Sequence, residues 1–486
     1  MNKFYPILFA FALLISHTSF AQKWVDTSYA VVKMDNIKYG NATDFAGAQR
    51  DLTMNIAMPL GDTAPPCGRP LFVAIHGGSF MAGSKDADLP PRWIIDFAKR
   101  GYVAISINYR LGLFQTSSSA HCNITNLGVP WDCLNVADTA EWTRAMYRGM
   151  QDAKGAIRYM VNHATDYNFD PRNVFVAGES AGAFIALATG FLDDSTEKPS
   201  QCAALSAVPS PNAIYENACI TSMNLGTSIS AFNLNRPDLG SINGDLNPTT
   251  IPYTIRGVGS FYGAIFQDLF LKTTAKMQPV LYLFHQPNDL LVPYTNDALF
   301  AGFAYCATQF PANCAWIMNR PLVYGGNGIN SMIKGLSGTG ISLPVVQFDS
   351  TSNFSDCAAQ LATPALAGHS TDNYWLRSTN MAKLFAGNID ATNHCLPTAV
   401  KALTTISNLS IAPNPARDEL QIICGDLTGN FPVVISNMLG QTVYSGQCQF
   451  SNGNARLLLK NLTPATYILT TMTEKYGLSR SRFLVQ

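Results

Sequence analysis

One serine lies between two glycines, in Gly178-Glu179-Ser180-Ala181-Gly182. It follows the apolar run "NVFVA" and precedes "AGAFIALATG", whose composition suits a helix. A serine hydroxyl is a poor nucleophile at neutral pH, so a base must take its proton. The base is usually histidine, held by a carboxylate that fixes its tautomer. The oxyanion needs hydrogen-bond donors, worth roughly 3–4 kcal/mol when one is removed. A tight strand-to-helix turn would expose Ser180 as nucleophile. It would also aim the Ala181 N–H at the oxyanion from the positive end of the helix dipole. Gly178 and Gly182 leave room where side chains would clash.

The remaining groups should follow in a fixed order along the chain. About 100 residues upstream, "AIHGGSF" ends an apolar run, and Gly77 and Gly78 allow close backbone approach to a substrate oxygen. These two, with Ala181, are the candidate oxyanion donors. Ser79, Phe80, Met81 and Glu179 are candidate substrate contacts; Phe80, Met81 and Phe184 would form an apolar wall or belong to the core. Downstream, Asp289 in "FHQPNDLLVPY" follows the strand run "PVLYLF" and is the candidate acid, with Asp297 as its competitor. Of the seven histidines only His369 and His394 come after Asp289. His369 is the candidate base, from its place after the run "LPVVQFDS" and the glycine before it. His76 and His285 end strand runs and are expected to shape the site.

Elements able to hold these groups are visible in the hydropathy pattern. "LFVAIHGG", "GYVAISINYR", "NVFVAGES", "PVLYLFHQ" and "LPVVQFDS" read as buried strands. Met146, Met150, Ala153, Ile157 and Met160 recur at spacings of four and three, one apolar face of a helix. Strands alternating with helices predict a mostly parallel sheet, with ligands at the carboxyl ends of its strands. Residues 194–252, rich in Ser, Asn, Thr and Pro, read as a cap-like insertion, and Ser117–Trp142 as a smaller one. After about residue 405 the texture becomes short alternating strands, such as "DELQII", "FPVVIS" and "TYILTT", which predict a small all-β sandwich. The expected division is a catalytic domain over 22–400 and a β domain over 401–486.

Bulk properties narrow the classes. The chain has 486 residues, 47% hydrophobic and 13% charged, with 32 basic and 32 acidic side chains. That length suits two or more domains, and the neutral balance argues against a nucleic-acid partner. Lys3 and the run "FYPILFAFALLI", ending near "SFAQ", read as an export signal over residues 1–21. No later segment suggests a transmembrane anchor. Eleven cysteines in an exported chain predict disulfides. Proximity in sequence suggests Cys122–Cys133, Cys202–Cys219, Cys306–Cys314 and Cys424–Cys448, and an odd count leaves at least one cysteine over. No spacing suggests a metal, and acyl transfer through serine needs no cofactor.

"HGGSFMAGS", "GYVAISINYRLG", "QDAKGAIRYMV", "DPRNVFVAGESAGA" and "HQPNDLLVP" occur in the order found in α/β-hydrolases of the serine esterase group. Residues 50–390 resemble that group, and most closely secreted carboxylesterases and feruloyl- or acetyl-esterase-like enzymes. The resemblance implies Ser180 as nucleophile, Asp289 as acid, His369 as base, and the backbone of Gly77, Gly78 and Ala181 as oxyanion donors. Ser79 departs from the group's commoner third glycine. The acid motif is not that of hormone-sensitive-lipase relatives. The C-terminal stretch, with "IAPNPARDEL", "MLGQTVYSG" and "SRSRFLVQ", resembles a type IX secretion sorting domain, although Ala465 stands where that family usually has glycine.

The expectation is thus a secreted serine esterase whose partners are an ester substrate, small or polymer-attached, and a secretion machinery. Two other readings stay open at this point. One is a peptidase or thioesterase on the same fold; the other is a non-catalytic, hydrolase-like adhesion protein. For the C-terminal module the alternative is an ordinary carbohydrate-binding or adhesive sandwich.

Overall fold

Short, predominantly apolar runs rich in β-branched and aromatic residues can be buried on both faces only inside a sheet covered by helices. Three runs do this completely: β3 (Arg69–Ile75), β4 (Val103–Ile107) and the later Val280–His285 are buried at every position. The structure is a computed structural model. It describes residues 23–60, 64–114, 139–207, 235–266, 278–302, 320–351, 368–391, 409–425, 427–437, 442–459, 462–473 and 477–486. The expected leader, His121, His394, the pairs Cys122–Cys133 and Cys306–Cys314, residues 117–138 of the smaller expected insertion and 208–234 of the larger lie outside these residues.

The chain opens with an antiparallel hairpin, β1 (Ala30–Thr43) and β2 (Gln49–Leu60), which the sequence pattern did not suggest. It continues through β3, α1 (Pro90–Lys99), β4, α2 (Thr139–Asn162), α3 (Ala164–Tyr167), β5 (Phe169–Glu179) and α4 (Ala181–Phe191). Then come β6 (Ile255–Phe261), β7 (Ala264–Phe266), β8 (Val280–His285), β9 (Asn296–Ala298), β10 (Leu322–Gly325), α5 (Gly326–Gly335), β11 (Val346–Ser350) and α6 (Tyr374–Ala386). Among the described residues, eight strands form one sheet in the order β1-β2-β4-β3-β5-β6-β8-β11. β2 runs antiparallel to both its neighbours, and every pairing from β4 to β11 is parallel. The non-sequential order marks the crossovers of a doubly wound sheet.

Two hydrophobic clusters pack on the sheet. One contains Trp93, Phe97, Met381 and Phe385 of α1 and α6 against Phe72, Ala74, Phe175 and Ala177. The other gathers Met146, Met150 and Ile157 of α2 with Ile185 and Leu187 of α4 against Val73, Ile75, Val174 and Val176. Alternating residues of β3 and β5 thus serve opposite faces, as the two-residue period of a strand requires. Helix α2 begins at Thr139, so the last residues of the expected Ser117–Trp142 insertion are helical.

The C-terminal stretch folds into antiparallel β structure. β12 (Leu409–Ala412), β13 (Glu419–Cys424) and β16 (Asn454–Leu458) form one sheet. β14 (Gly429–Asn437), β15 (Thr442–Phe450), β17 (Ala465–Thr473) and β18 (Gly477–Val485) form another. Leu420, Ile422, Val433, Ile435, Phe450, Leu469 and Phe483 fill its core. Two expected disulfides are corrected: Cys202, Cys424 and Cys448 are buried thiols, so neither Cys202–Cys219 nor Cys424–Cys448 exists. Cys424 and Cys448 sit on different strands, β13 and β15, and proximity in sequence does not by itself bring two sulfurs within bonding reach. Cys67 is disulfide-bonded, which the sequence reading had not singled out.

Candidate active site

The turn from β5 into α4 carries Ser180 at φ 51°, ψ −126°, a backbone region that costs a residue with a Cβ on the order of 1–3 kcal/mol. The surroundings hold it there. Its N–H donates to Phe261 O (3.0 Å) and its carbonyl accepts from Ala183 N–H (2.9 Å). The flanking glycines are sterically required. A Cβ at Gly178 would stand 2.1 Å from Gly182 O, and one at Gly182 would stand 2.3 Å from Ile75 O.

Ser180 Oγ lies 2.8 Å from His369 Nε2, and His369 Nδ1 lies 2.8 Å from Asp289 Oδ2. Asp289 is buried, and its Oδ1 accepts the N–H groups of Leu291 (2.8 Å) and Val292 (3.0 Å). Burial pushes this carboxyl up, but the facing His369 and hydrogen bonds from His285 and His369 outweigh it and hold it at about 2. Asp289 is therefore ionised across the physiological range and can fix the His369 tautomer. The competitor Asp297 is exposed on β9, with Oδ1 on the Ala298 N–H (2.7 Å).

After β3 the loop takes three consecutive positive φ values, at Gly78 (108°), Ser79 (53°) and Phe80 (62°). Gly78 O accepts from Met81 and Ala82 N–H, both at 2.9 Å, and a Cβ on Gly78 would stand 2.1 Å from Ala82 O. A Cβ on Gly77 would face Ser180 Cβ at 3.1 Å, so this loop lies directly against the elbow. His76 props it from beneath, with Nδ1 donating to Gly77 O (2.7 Å) and its ring stacked on Tyr109 (4.4 Å). Burial lowers His76 to about 4, so it stands neutral. The N–H groups of Gly78 and Ala181 donate to no protein acceptor among the described residues.

A cavity of about 500 Å³ opens over these groups. Phe80, Trp142, Phe184, Leu291, Leu299 and Phe300 give it an apolar lining, and Asp88, Arg92, Ser370 and Thr371 a polar one. Ser79, Phe80, Phe184 and Glu179 border it. Met81 does not: the tight turn on Gly78 O directs it into the core. Glu179 is nearly fully buried, its Oε1 accepting Leu89 N–H (2.9 Å) and its Oε2 the Tyr262 hydroxyl (2.5 Å). Burial raises it to about 7 despite those two bonds. Tyr262 also meets His369 edge-on, with ring centroids 4.8 Å apart. Sequence reasoning missed Tyr262, because the glycine-rich β6 that delivers it did not read as a strand.

A mostly parallel sheet with a strained strand-to-helix serine turn defines an α/β-hydrolase fold, here followed by a β domain. Comparison with known proteins adds to this. Residues 135–237 match the esterase family model BD-FAE, and residues 410–486 match the Secretion system C-terminal sorting domain. The second match marks the chain for type IX export to the cell surface or beyond. Neuroligin-like protein glit-1 of Caenorhabditis elegans is 30% identical over 24% of this chain and 12% of its own length. Juvenile hormone esterase of Heliothis virescens is 28% identical over 24% of this chain and 17% of its own. The chain thus spans under a fifth of either relative. The apo form of Thermogutta terrifontis esterase 2 is 16% identical, covering 74% of this chain and 93% of its own, with a TM-score of 0.36. Among the described residues no helix is long and apolar enough to cross a membrane.

Proposed function

We propose that the protein is an exported carboxylic ester hydrolase working through an acyl-enzyme on Ser180. The carrying observation is the unbroken line Asp289–His369–Ser180, with both contacts at 2.8 Å, opening into a cavity bordered by Gly78 and Ala181. His369 takes the Ser180 proton as Oγ attacks the ester carbonyl. Asp289 orients the imidazole and stabilises its charge. The N–H groups of Gly78 and Ala181, with Gly77 beside them, hold the oxyanion. His369 then protonates the leaving alcohol, and water repeats the cycle on the acyl-serine. Residues 22–400 carry this chemistry, and 401–486 engage the secretion machinery.

Ser180→Ala should lower p-nitrophenyl ester hydrolysis roughly a million-fold with folding intact. An unchanged rate would sink the mechanism. Aminoacyl amides or thioesters turned over faster than oxygen esters would move it to the peptidase or thioesterase reading. The alternative from a different class is a non-catalytic, hydrolase-like adhesion protein. Failure of a fluorophosphonate to label Ser180 would favour it.

A further inference from the structure

Asp289 Oδ2 is shared by two histidines. His369 Nδ1 reaches it at 2.8 Å, and His285 Nε2 reaches the same oxygen at 3.0 Å. His285 ends β8 and is fully buried. Its other nitrogen decides its tautomer. The Gly326 backbone N–H, at the first residue of α5, points at His285 Nδ1 at 3.0 Å. An N–H can only donate, so Nδ1 must accept and carries no proton. The ring proton is therefore on Nε2, aimed between Asp289 Oδ2 and Val292 O (3.2 Å). Glycine is needed at 326 for this, since a Cβ there would stand 2.9 Å from His285 Cβ.

We propose that His285 is a positioning residue for the proton relay, locked by Gly326 into the Nε2–H tautomer so that it tempers the hold of Asp289 on His369. This rests on the acyl-serine reading above. A donor on Oδ2 draws charge from the carboxylate, and that oxygen then attracts the His369 proton less strongly. With His285 in place, the charge that steadies the imidazolium during turnover is smaller, and activity extends further into mildly acidic medium. His285 touches neither substrate nor Ser180 among the described contacts. The other ionisable and charged groups facing this cluster are Glu179 and Tyr262 at the ends of β5 and β6, Asp88 and Arg92 around the start of α1, and Tyr294 against the His285 ring.

The test is the pH profile of kcat/KM for p-nitrophenyl esters in three full-length proteins. His285→Phe keeps a ring but loses both bonds, and its acid limb should move upward by about half a pH unit or more, with KM little changed. His285→Gln keeps a donor toward Asp289, and its acid limb should stay near that of the parent. A limb that does not move in an active His285→Phe, or that moves equally in both variants, overturns the proposal. Should His285→Phe not fold, ¹⁵N-histidine spectra of the unmodified protein decide: protonated Nε2 at His285 supports the proposal, and protonated Nδ1 overturns it. Ser180→Ala run alongside separates the two levels. If it leaves turnover intact, the serine mechanism fails, while the tautomer result still stands or falls on its own.

Discussion

The Tyr262 hydroxyl donates to the buried Glu179 carboxyl at 2.5 Å, and the same side chain presents its ring edge to His369. The residue next to Ser180 is thereby tied to the partner of Ser180 through one tyrosine.

Glu179 should therefore leave a signature in stability against pH. Burial raises it from its ordinary 4.5 to about 7. The folded state then holds a proton that the unfolded chain has released. Its contribution is complete below pH 4.5 and is lost as pH rises toward 7. Between pH 4.5 and 7.5, urea unfolding should show Glu179→Gln gaining about 3 kcal/mol on the parent. A constant difference between the two proteins would refute this.

Strain at Ser180 can be measured separately from catalysis. Ser180→Ala and Ser180→Gly both lack the hydroxyl, but only glycine adopts φ 51°, ψ −126° without a Cβ clash. Ser180→Gly should be more stable than Ser180→Ala by about 1 kcal/mol in thermal unfolding. Equal stabilities would mean the elbow stores no such strain.

The cysteine chemistry is open to mass spectrometry. Cys202, Cys424 and Cys448 should be alkylated in unreduced, denatured protein, whereas Cys67 should react only after reduction. A peptide linking Cys424 to Cys448 would contradict the fold of the β domain.

Export should depend on the C-terminal module. A chain ending before residue 410 should remain in the producing cell, as read by immunoblot of cells against medium. Normal release of the shortened chain would remove the sorting role of residues 410–486.

Much of the site was legible because chemistry and chain order constrain each other. An apolar run before Ser180, small residues around it, and Asp289 and His369 after the next strands could be found from type and position alone. The outer hairpin was not: β1 is only partly buried and carries mixed polarity, so it lacks the continuous apolar run of β3. β6 was missed for a different reason. Its Gly257 and Gly259 depress strand propensity, yet a side chain there would collide with Phe385 and Met381 of α6. Tyr262 was lost with that strand. His285 read only as a shaping residue, since its bond to Asp289 depends on Gly326, 41 residues further on. Pairing across that distance leaves no local trace.

The same two glycines have a mechanical consequence. Helix α6 rests on β6 where a Cβ at Gly259 would stand 2.4 Å from Met381 Sδ, and the loop entering that helix carries His369. Gly257 and Gly259 work as a shim of zero thickness. The gap between helix and sheet sets the reach of the imidazole, so the spacing at the reacting oxygen is gauged by packing that substrate never meets. Selection for a faster enzyme could then act from the floor of the sheet, leaving the cavity walls free to vary with the ester.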